Sequence, residues 1–503
     1  MRIPKRWRLT RTGLLAVLLT APAGAVSPGA PDPSFSSDGR QIVWFDLVGL
    51  NRDLGWDALV EEDGSVIVVG AVESGIENHY DWAIAKLGPS GTLVAGWGDS
   101  GNGKTLVGFG HQKEAATAIV RDFSGRYVVA GYSGDSSSGT DFHVIRLSSN
   151  GNRDYTFNGT GTVAADFSGG DPARKYDIPT AIGQQGSGRI VVAGFGAATS
   201  DQGHGAETAL LGLEETGVPD VNFSSGGAMG DGKCLRDWAY YSALIEGVQI
   251  SDLAIEPGSD KLIVVGRGFD EATPTYAIAV QRMTSLCDRD AGFANSAGQL
   301  LYAFSDSSIP HEAHGVALVP TLVSGVVVAS KIVVAGAVYE TSSSSFDFGV
   351  LRLNPNGTSD SSFGGSGLGY RRIPWDMGDT SHDLGFDLAL QGDGKILIGG
   401  AVDTAAGGYD FGAVRLHADG STDLGFGLFG HTFVNFAGGG TNDDYAHALK
   451  LAPDGRVVLV GDASSSSGSG DRDWGIVRLQ NDYLFADGFE WGSTDSWSEV
   501  TPP

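Results

Sequence analysis

Long apolar runs are missing from this 503-residue chain: no stretch of 18 or more apolar residues occurs, so no segment is a candidate transmembrane helix. Basic residues are scarce, with 33 lysines and arginines against 60 aspartates and glutamates and a formal net charge of −27. Such a surface repels phosphate backbones and anionic lipid, which excludes nucleic-acid binding. Cysteine is nearly absent. Cys234 and Cys287 are too few for a disulfide-framework fold, and a single disulfide or two unpaired thiols are both open. Neither an HExxH pair, an EF-hand loop nor a glycine-aspartate nonapeptide occurs.

What is abundant is glycine, 77 residues in all, and it is spaced. A short apolar run ending in glycine recurs as Val66–Gly70, Tyr127–Gly131, Ile190–Gly194, Leu262–Gly266, Ile332–Gly336, Ile396–Gly400 and Val457–Gly461. Successive terminal glycines lie 61, 63, 72, 70, 64 and 61 residues apart, a period that marks a repeat architecture.

Each unit reads as four strands. An alternating stretch (Trp56–Val60, Ala116–Val120, Phe386–Leu390) leads through a turn such as Asp63-Gly64, Asp393-Gly394 or Asp454-Gly455 into the apolar run. The run's continuous hydrophobicity fits a strand covered on both faces. A third strand follows, as in Asp81–Leu87, Asp141–Leu147, Asp347–Leu353, Asp410–Leu416 and Asp473–Leu479. A glycine-rich phenylalanine turn (Asp154–Phe157, Asp220–Phe223, Asp360–Phe363, Asp423–Phe426) then opens the fourth.

Units that cannot bury both faces alone are the logic of a β-propeller blade, with a solenoid as the other solution. The phenylalanine piece also precedes the first full unit, as Asp32–Phe35, and is missing after Leu479. A spare strand at one end and a lost one at the other predict an all-β, seven-bladed propeller of four-stranded blades, closed by the N-terminal strand completing the last blade.

Residues 1–25 read as an export signal: Arg2, Lys5, Arg6, Arg8 and Arg11, then an apolar stretch from Gly13 to Leu19, then Ala23-Gly24-Ala25. Its removal leaves 28 basic residues against 60 acidic ones. The expected organisation is a signal at 1–25, a propeller over 32–479 and a tail over 480–503. Location is expected to be secreted, periplasmic or outer-surface.

The units Asp393–Gly400, Asp410–Leu416 and Asp360–Gly365 resemble the delta-60 repeat, found in tandem in exported bacterial proteins. The resemblance covers roughly residues 32–479. It implies a propeller-like fold and no common activity. The tail resembles an Asp-Gly-Phe-Glu-x-Gly…Trp-Ser ending seen on various exported proteins of Gram-negative bacteria.

Several motifs tempt a chemical reading. Gly98–Thr105 matches the phosphate-binding loop pattern, but it aligns with the glycine-rich turns of other units and runs into a strand. His311 and His314, with His111 and His382 at equivalent connections, are candidate ligand-face residues, although zinc needs three or four converging ligands. Trp238, Tyr240 and Tyr241 form a non-repeating aromatic cluster suited to a sugar or peptide platform, or to packing the insert around them. The recurring aspartates Asp81, Asp141, Asp347, Asp410 and Asp473 are expected to fix turns. The recurring arginines Arg146, Arg352 and Arg415 are expected to pair with Asp154, Asp360 and Asp423. No cofactor is expected, calcium in the acidic loops being the one left open.

Catalysis needs one asymmetric site, and no non-repeating cluster of carboxylates, histidines or an activated nucleophile is visible along the sequence. The expectation is therefore a non-enzymatic, exported scaffold that binds a protein, a polysaccharide or a cell-envelope surface. The alternative is a secreted propeller hydrolase or lyase acting on polysaccharide or ester, with its site over the central channel.

Overall fold

The computed structural model describes residues 27–482 apart from 46–51, 76–78, 170, 172, 200–204, 225–229, 239–246, 271–274, 305–310, 325, 341–343, 376–381, 405–407, 437–442 and 465–471. The expected signal at 1–25 and nearly all of the tail therefore lie outside the described residues, as do Tyr240 and Tyr241. Among the described residues no helix is long and apolar enough to cross a membrane.

The described chain is strand and turn. After β1 (Arg40–Val43) come β2 (Asp53–Val60), β3 (Val66–Glu73), β4 (Tyr80–Leu87) and β5 (Lys104–Val107). Next are β6 (Lys113–Arg121), β7 (Tyr127–Asp135), β8 (Gly139–Leu147) and β9 (Thr162–Ala165), then β10 (Tyr176–Gln184), β11 (Ile190–Ala198), β12 (Glu207–Leu213) and β13 (Lys233–Arg236). They are followed by β14 (Val248–Ile255), β15 (Leu262–Asp270), β16 (Thr275–Met283) and β17 (Gln299–Tyr302). A longer hairpin, β18 (His311–Val323) and β19 (Val326–Glu340), precedes β20 (Ser345–Leu353) and β21 (Tyr370–Ile373). The last strands are β22 (Asp383–Leu390), β23 (Ile396–Asp403), β24 (Tyr409–Leu416), β25 (His431–Val434), β26 (Tyr445–Leu451), β27 (Val457–Ser464) and β28 (Arg472–Leu479).

These strands form antiparallel four-stranded meanders, β2 to β5, β14 to β17, β18 to β21 and β22 to β25. The sets β6 to β9 and β10 to β13 are joined into one eight-stranded sheet by a parallel pairing of Tyr176 with Thr140. The final sheet runs β1-β28-β27-β26: residues Arg40 to Val43 pair antiparallel with Val477 to Trp474. The fold is thus all-β and propeller-like.

Local chemistry explains the meander. Gly64, Gly394 and Gly455 have φ near +80° in the turns between first and second strands, a conformation that favours glycine. The preceding aspartates cap the turns; Asp63 Oδ1 accepts the Ser65 amide at 2.8 Å. The second strands are buried on both faces, as Val66 to Val69 illustrate. Sheets stack through these strands: Val66 and Val68 of β3 share a core with Val458 and Val460 of β27 and Trp474 of β28. Each first strand also packs on the next set's first strand, and β2 packs on β26.

The recurring arginines staple neighbouring sheets. Arg146, Arg352, Arg415 and Arg478 bond Asp154, Asp360, Asp423 and Asp32 through Nε at 2.7–2.9 Å. Each guanidinium also lies over the phenylalanine of the same turn, Phe157, Phe363, Phe426 or Phe35, at 4.6–5.0 Å. A further donor crosses to the following set; Arg478 Nη1 reaches the Pro89 carbonyl at 2.7 Å. The turn carboxylates fix turns: Asp154 and Asp360 accept the amides of Thr156 and Ser362. Breaking one such buried pair strands the partner charge at a cost of about 3–5 kcal/mol. Arg478→Ala is expected to lower the unfolding free energy by about that amount in denaturant titration, and a loss below ~1 kcal/mol would contradict the role given to the staple.

Candidate functional site

The repeated glycine at the end of each apolar run explains how the site is built. Opposite it, every first strand carries one extra residue, so that the register skips from Gly55/Gly70 to Asp57/Val69, from Gly385/Gly400 to Asp387/Gly399, and from Ala446/Gly461 to Ala448/Val460. At this bulge a carbonyl folds over the glycine. A Cβ on Gly70, Gly400 or Gly461 would lie 2.0, 1.8 or 1.8 Å from the carbonyl oxygen of Leu54, Leu384 or Tyr445. A bulge re-aims the extra side chain away from the pleat. The re-aimed residues are Trp56, Thr117, Thr180, Ser251, His314, Phe386 and His447.

Four of these touch in a row. Ring centroids lie 5.3 Å apart for His314–Phe386, 5.5 Å for Phe386–His447 and 4.7 Å for His447–Trp56. The run therefore joins first strands that are remote in sequence, β18, β22, β26 and β2. All four side chains are half-buried. At two of the other three bulges Thr117 and Thr180 donate to carbonyls of the next set, Pro179 at 2.7 Å and Ile250 at 3.0 Å.

Around His447 the repeat is broken a second time. Its Nε2 lies 2.5 Å from Asp462 Oδ1, on the residue after the marker glycine, where other sets carry Ala71, Ala337 or Ala401. Arg472 pairs with the other oxygen of Asp462 and lies 5.1 Å from the Tyr445 ring. Burial works to raise the Asp462 carboxyl, but the His447 hydrogen bond and the charges of His447 and Arg472 hold it below its ordinary value. A parallel arrangement surrounds His314: Glu312 sits 3.4 Å from its Nε2 and 2.5 Å from Arg267 Nη1. Against burial, those partners bring the Glu312 carboxyl down to about 2.

The residue after the bulge adds a second layer. Asp57, Asp252 and Asp387 occupy this position, whereas Ala118, Ala181, Gly315 and Ala448 hold it elsewhere. Each carboxylate accepts an amide of the neighbouring first strand, from Ile119, Val316 and Leu449 at 2.8–2.9 Å. Lys450 bridges two of them, 3.0 Å from Asp57 and 3.1 Å from Asp387. Desolvation pushes the Lys450 ammonium down, and the charges of Asp387 and Asp57 more than reverse this. Asp252, which lacks a cation of its own, is raised by burial and then by the Asp387 charge. The layer thus holds one carboxyl, Asp252, whose ionisation its surroundings oppose.

A further set lies where third strands meet the next first strand. Oxygens of Asp141, Asp166 and Asp177 come within 4.8 Å of one another. The ligand type suits calcium, but three carboxylates fall well short of its six to eight oxygens. Asp177 accepts the amides of Phe167 and Ala197, and Asp444 those of Phe436 and Ser464.

The residues singled out from sequence are dispersed. Trp238 is buried in the core with Nε1 on Thr208 Oγ1 at 3.1 Å, so it packs the fold and is not a ligand platform. Cys234 and Cys287 form a disulfide that ties β13 to the turn before β17. His311 is fully buried with its ring 5.3 Å from Phe304, while His314 belongs to the row described above. His111 pairs with Asp135 at 3.0 Å, and His382 accepts the Phe346 amide. Gly98–Thr105 is a turn that enters β5.

Four segments, residues 124–157, 330–363, 391–426 and 452–482, match the model of a β-propeller domain of unknown function, DUF5122. No curated protein matches the chain. Among similar solved structures is an alpha-L-arabinanase of Penicillium chrysogenum complexed with arabinobiose, at 12% identity and TM-score 0.38, covering 74% of this chain and 94% of that one. Another is the β-propeller domain of the Trilobed protease from Pyrococcus furiosus, with 8% identity, TM-score 0.38 and coverage of 87% and 98%. A third is a polysaccharide lyase, the PL25 ulvan lyase, with 10% identity, TM-score 0.42 and coverage of 91% and 96%.

The expectation of a non-enzymatic scaffold is corrected. Several of the similar solved structures are enzymes acting on glycans. The expectation had rested on the absence of an asymmetric cluster, and His447, Asp462, Arg472, Trp56 and Phe386 form one.

Buried carboxyls give this fold a distinctive pH response. Burial raises Asp177 and Asp383 to about 7 and Asp444 to about 6, above the ~4 of an unfolded aspartate. Such groups cost stability when ionised, so stability is gained as pH falls through their folded values. The melting temperature is expected to rise from pH 8 to pH 5, and a flat or falling profile would contradict these burial effects. Gly400→Ala is expected to cost about 1–3 kcal/mol in denaturant unfolding, because the Leu384 carbonyl must move.

Proposed function

We propose that the protein is an exported, glycan-cleaving enzyme, a hydrolase or lyase, whose site lies over the central channel of a seven-bladed ring of delta-60-type repeats. The ring is supported by the pairing of β1 with β28, by the packing of β2 on β26, and by the Arg478–Asp32 staple that reaches Pro89. Export is supported by the basic and apolar pattern of residues 1–25 and by the Cys234–Cys287 disulfide, which suits an oxidising compartment.

One observation carries the functional reading. Where the repeat is broken, an imidazole held by a buried carboxylate, His447 with Asp462, stands between the flat rings of Trp56 and Phe386. A carboxylate that orients an imidazole makes it an effective base, and aromatic faces bind the apolar faces of sugar rings. An imidazole that can accept and return a proton between two ring faces is suited to cleaving a glycosidic bond. No cofactor enters the proposal.

Screening the full chain against a polysaccharide panel tests it. His447→Ala and Asp462→Asn are expected to lower kcat by about 100- to 10,000-fold. Thr180→Ala, at the equivalent bulge of another set, is expected to leave kcat within about twofold. Equal losses in all three variants, or no activity on any glycan, would overturn the reading.

A further inference from the structure

Resting on that proposal, the choice between hydrolysis and elimination follows from the charges around the row. Elimination acts on uronate sugars. A base removes the C5 proton, the electron pair forms a C4=C5 bond, the C4–O bond breaks, and the leaving oxygen takes a proton. The C5 proton becomes acidic enough only when a cation or a strong donor neutralises the adjoining carboxylate.

Each cation of the cluster is already engaged. Arg472 is taken by Asp462, Arg267 by Glu312 and the Gln249 amide oxygen, and Lys450 by Asp57 and Asp387. Freeing any of them for a substrate carboxylate would leave a half-buried protein carboxylate unpaired. Asp57, Asp387, Asp462 and Glu312 outnumber the three cations, and the whole chain carries a formal charge of −27. A polyuronate meets repulsion at long range and finds no unclaimed donor cation among these residues. A neutral sugar meets neither obstacle, and the Trp56 and Phe386 rings need only its C–H faces.

We propose that the substrate is a neutral glycan and that the reaction is hydrolysis. The His447–Asp462 pair gives a proton to the glycosidic oxygen, and the C1–O electron pair leaves with that oxygen. A water oxygen bonds C1, and the proton it sheds passes to the His447–Asp462 pair.

The test uses the full chain on two sets of polymers, neutral arabinan and β-glucan against polygalacturonate and alginate. New reducing ends and the ultraviolet absorbance of an unsaturated uronate are read in parallel. Expected are reducing ends from a neutral polymer, oxygen from labelled water at the new C1, and at least a ~100-fold higher kcat/KM on neutral than on uronate chains. Cleavage of a uronate polymer with the unsaturated absorbance overturns this inference and leaves the glycan-cleaving proposal standing. Cleavage of neither set, with no glycan bound, overturns both. Retained hydrolysis in His447→Gln at neutral pH would overturn the proton route, while its thermal melt reports whether the variant is folded.

Discussion

The structure depends on one close contact, the carbonyl of each first strand folded onto the glycine at the end of the second. Near 2 Å from the position of a Cβ, the contact tolerates no side chain. Its result is a bulge at the same height in set after set, and hence one side chain per set that belongs neither to the core nor to the ladder. Position is fixed by backbone sterics, while identity is left open. That separation lets a symmetric scaffold carry an asymmetric site: threonine at two bulges ties neighbouring sets together, whereas tryptophan, phenylalanine and histidine at four others form a row of rings.

A row assembled from four sheets stays in register only if the sheets do. The apolar second strands supply most of the attraction between sheets, but hydrophobic contact is non-directional and would tolerate sliding. Direction comes from the arginine staples. Each binds its own turn carboxylate, lies on its own phenylalanine and reaches an oxygen of the following set, a carbonyl for Arg146, Arg352 and Arg478 and the Asn481 and Asp482 side chains for Arg415, so three constraints meet at one planar group. The Arg478 version uses Asp32 and Phe35 from the far end of the chain. The amides accepted by Asp57, Asp252 and Asp387 do the same work nearer the row.

The scaffold was legible in the sequence because repetition multiplies weak signals. Turn dipeptides, double-sided apolar runs and the Arg-Asp-Phe spacing recur, and each is a local consequence of backbone geometry. The site was not legible, for the opposite reason. His447 and Asp462 matter because they depart from the repeat, and single departures look like noise when units are aligned for what they share. Trp56 and His447 come into contact only because the first strands of the first and last sets pack together. Trp238, an aromatic in an irregular stretch, stands out along the sequence yet packs the core on Thr208. Phe386 and Trp56 did carry a signal: both are large aromatics directly between a glycine and an aspartate on a first strand, where other sets place small or polar residues.

The departures from the repeat are also the costly ones. Where Ala71, Ala337 and Ala401 pack without charge, Asp462 puts a carboxylate into a site almost closed to water, and burial alone disfavours the ionised form. The fold does not let the group protonate. It supplies His447 on one oxygen and Arg472 on the other, which keep the carboxylate charged and the imidazole oriented. Asp252 is treated in the reverse way: it receives amides from Leu253 and Val316 but no cation, and Asp387 beside it opposes its ionisation. The two aspartates are thus driven in opposite directions, Asp462 toward holding charge and Asp252 toward holding a proton. Packing alone has no use for such a division, because alanine at the same positions closes the fold at lower cost.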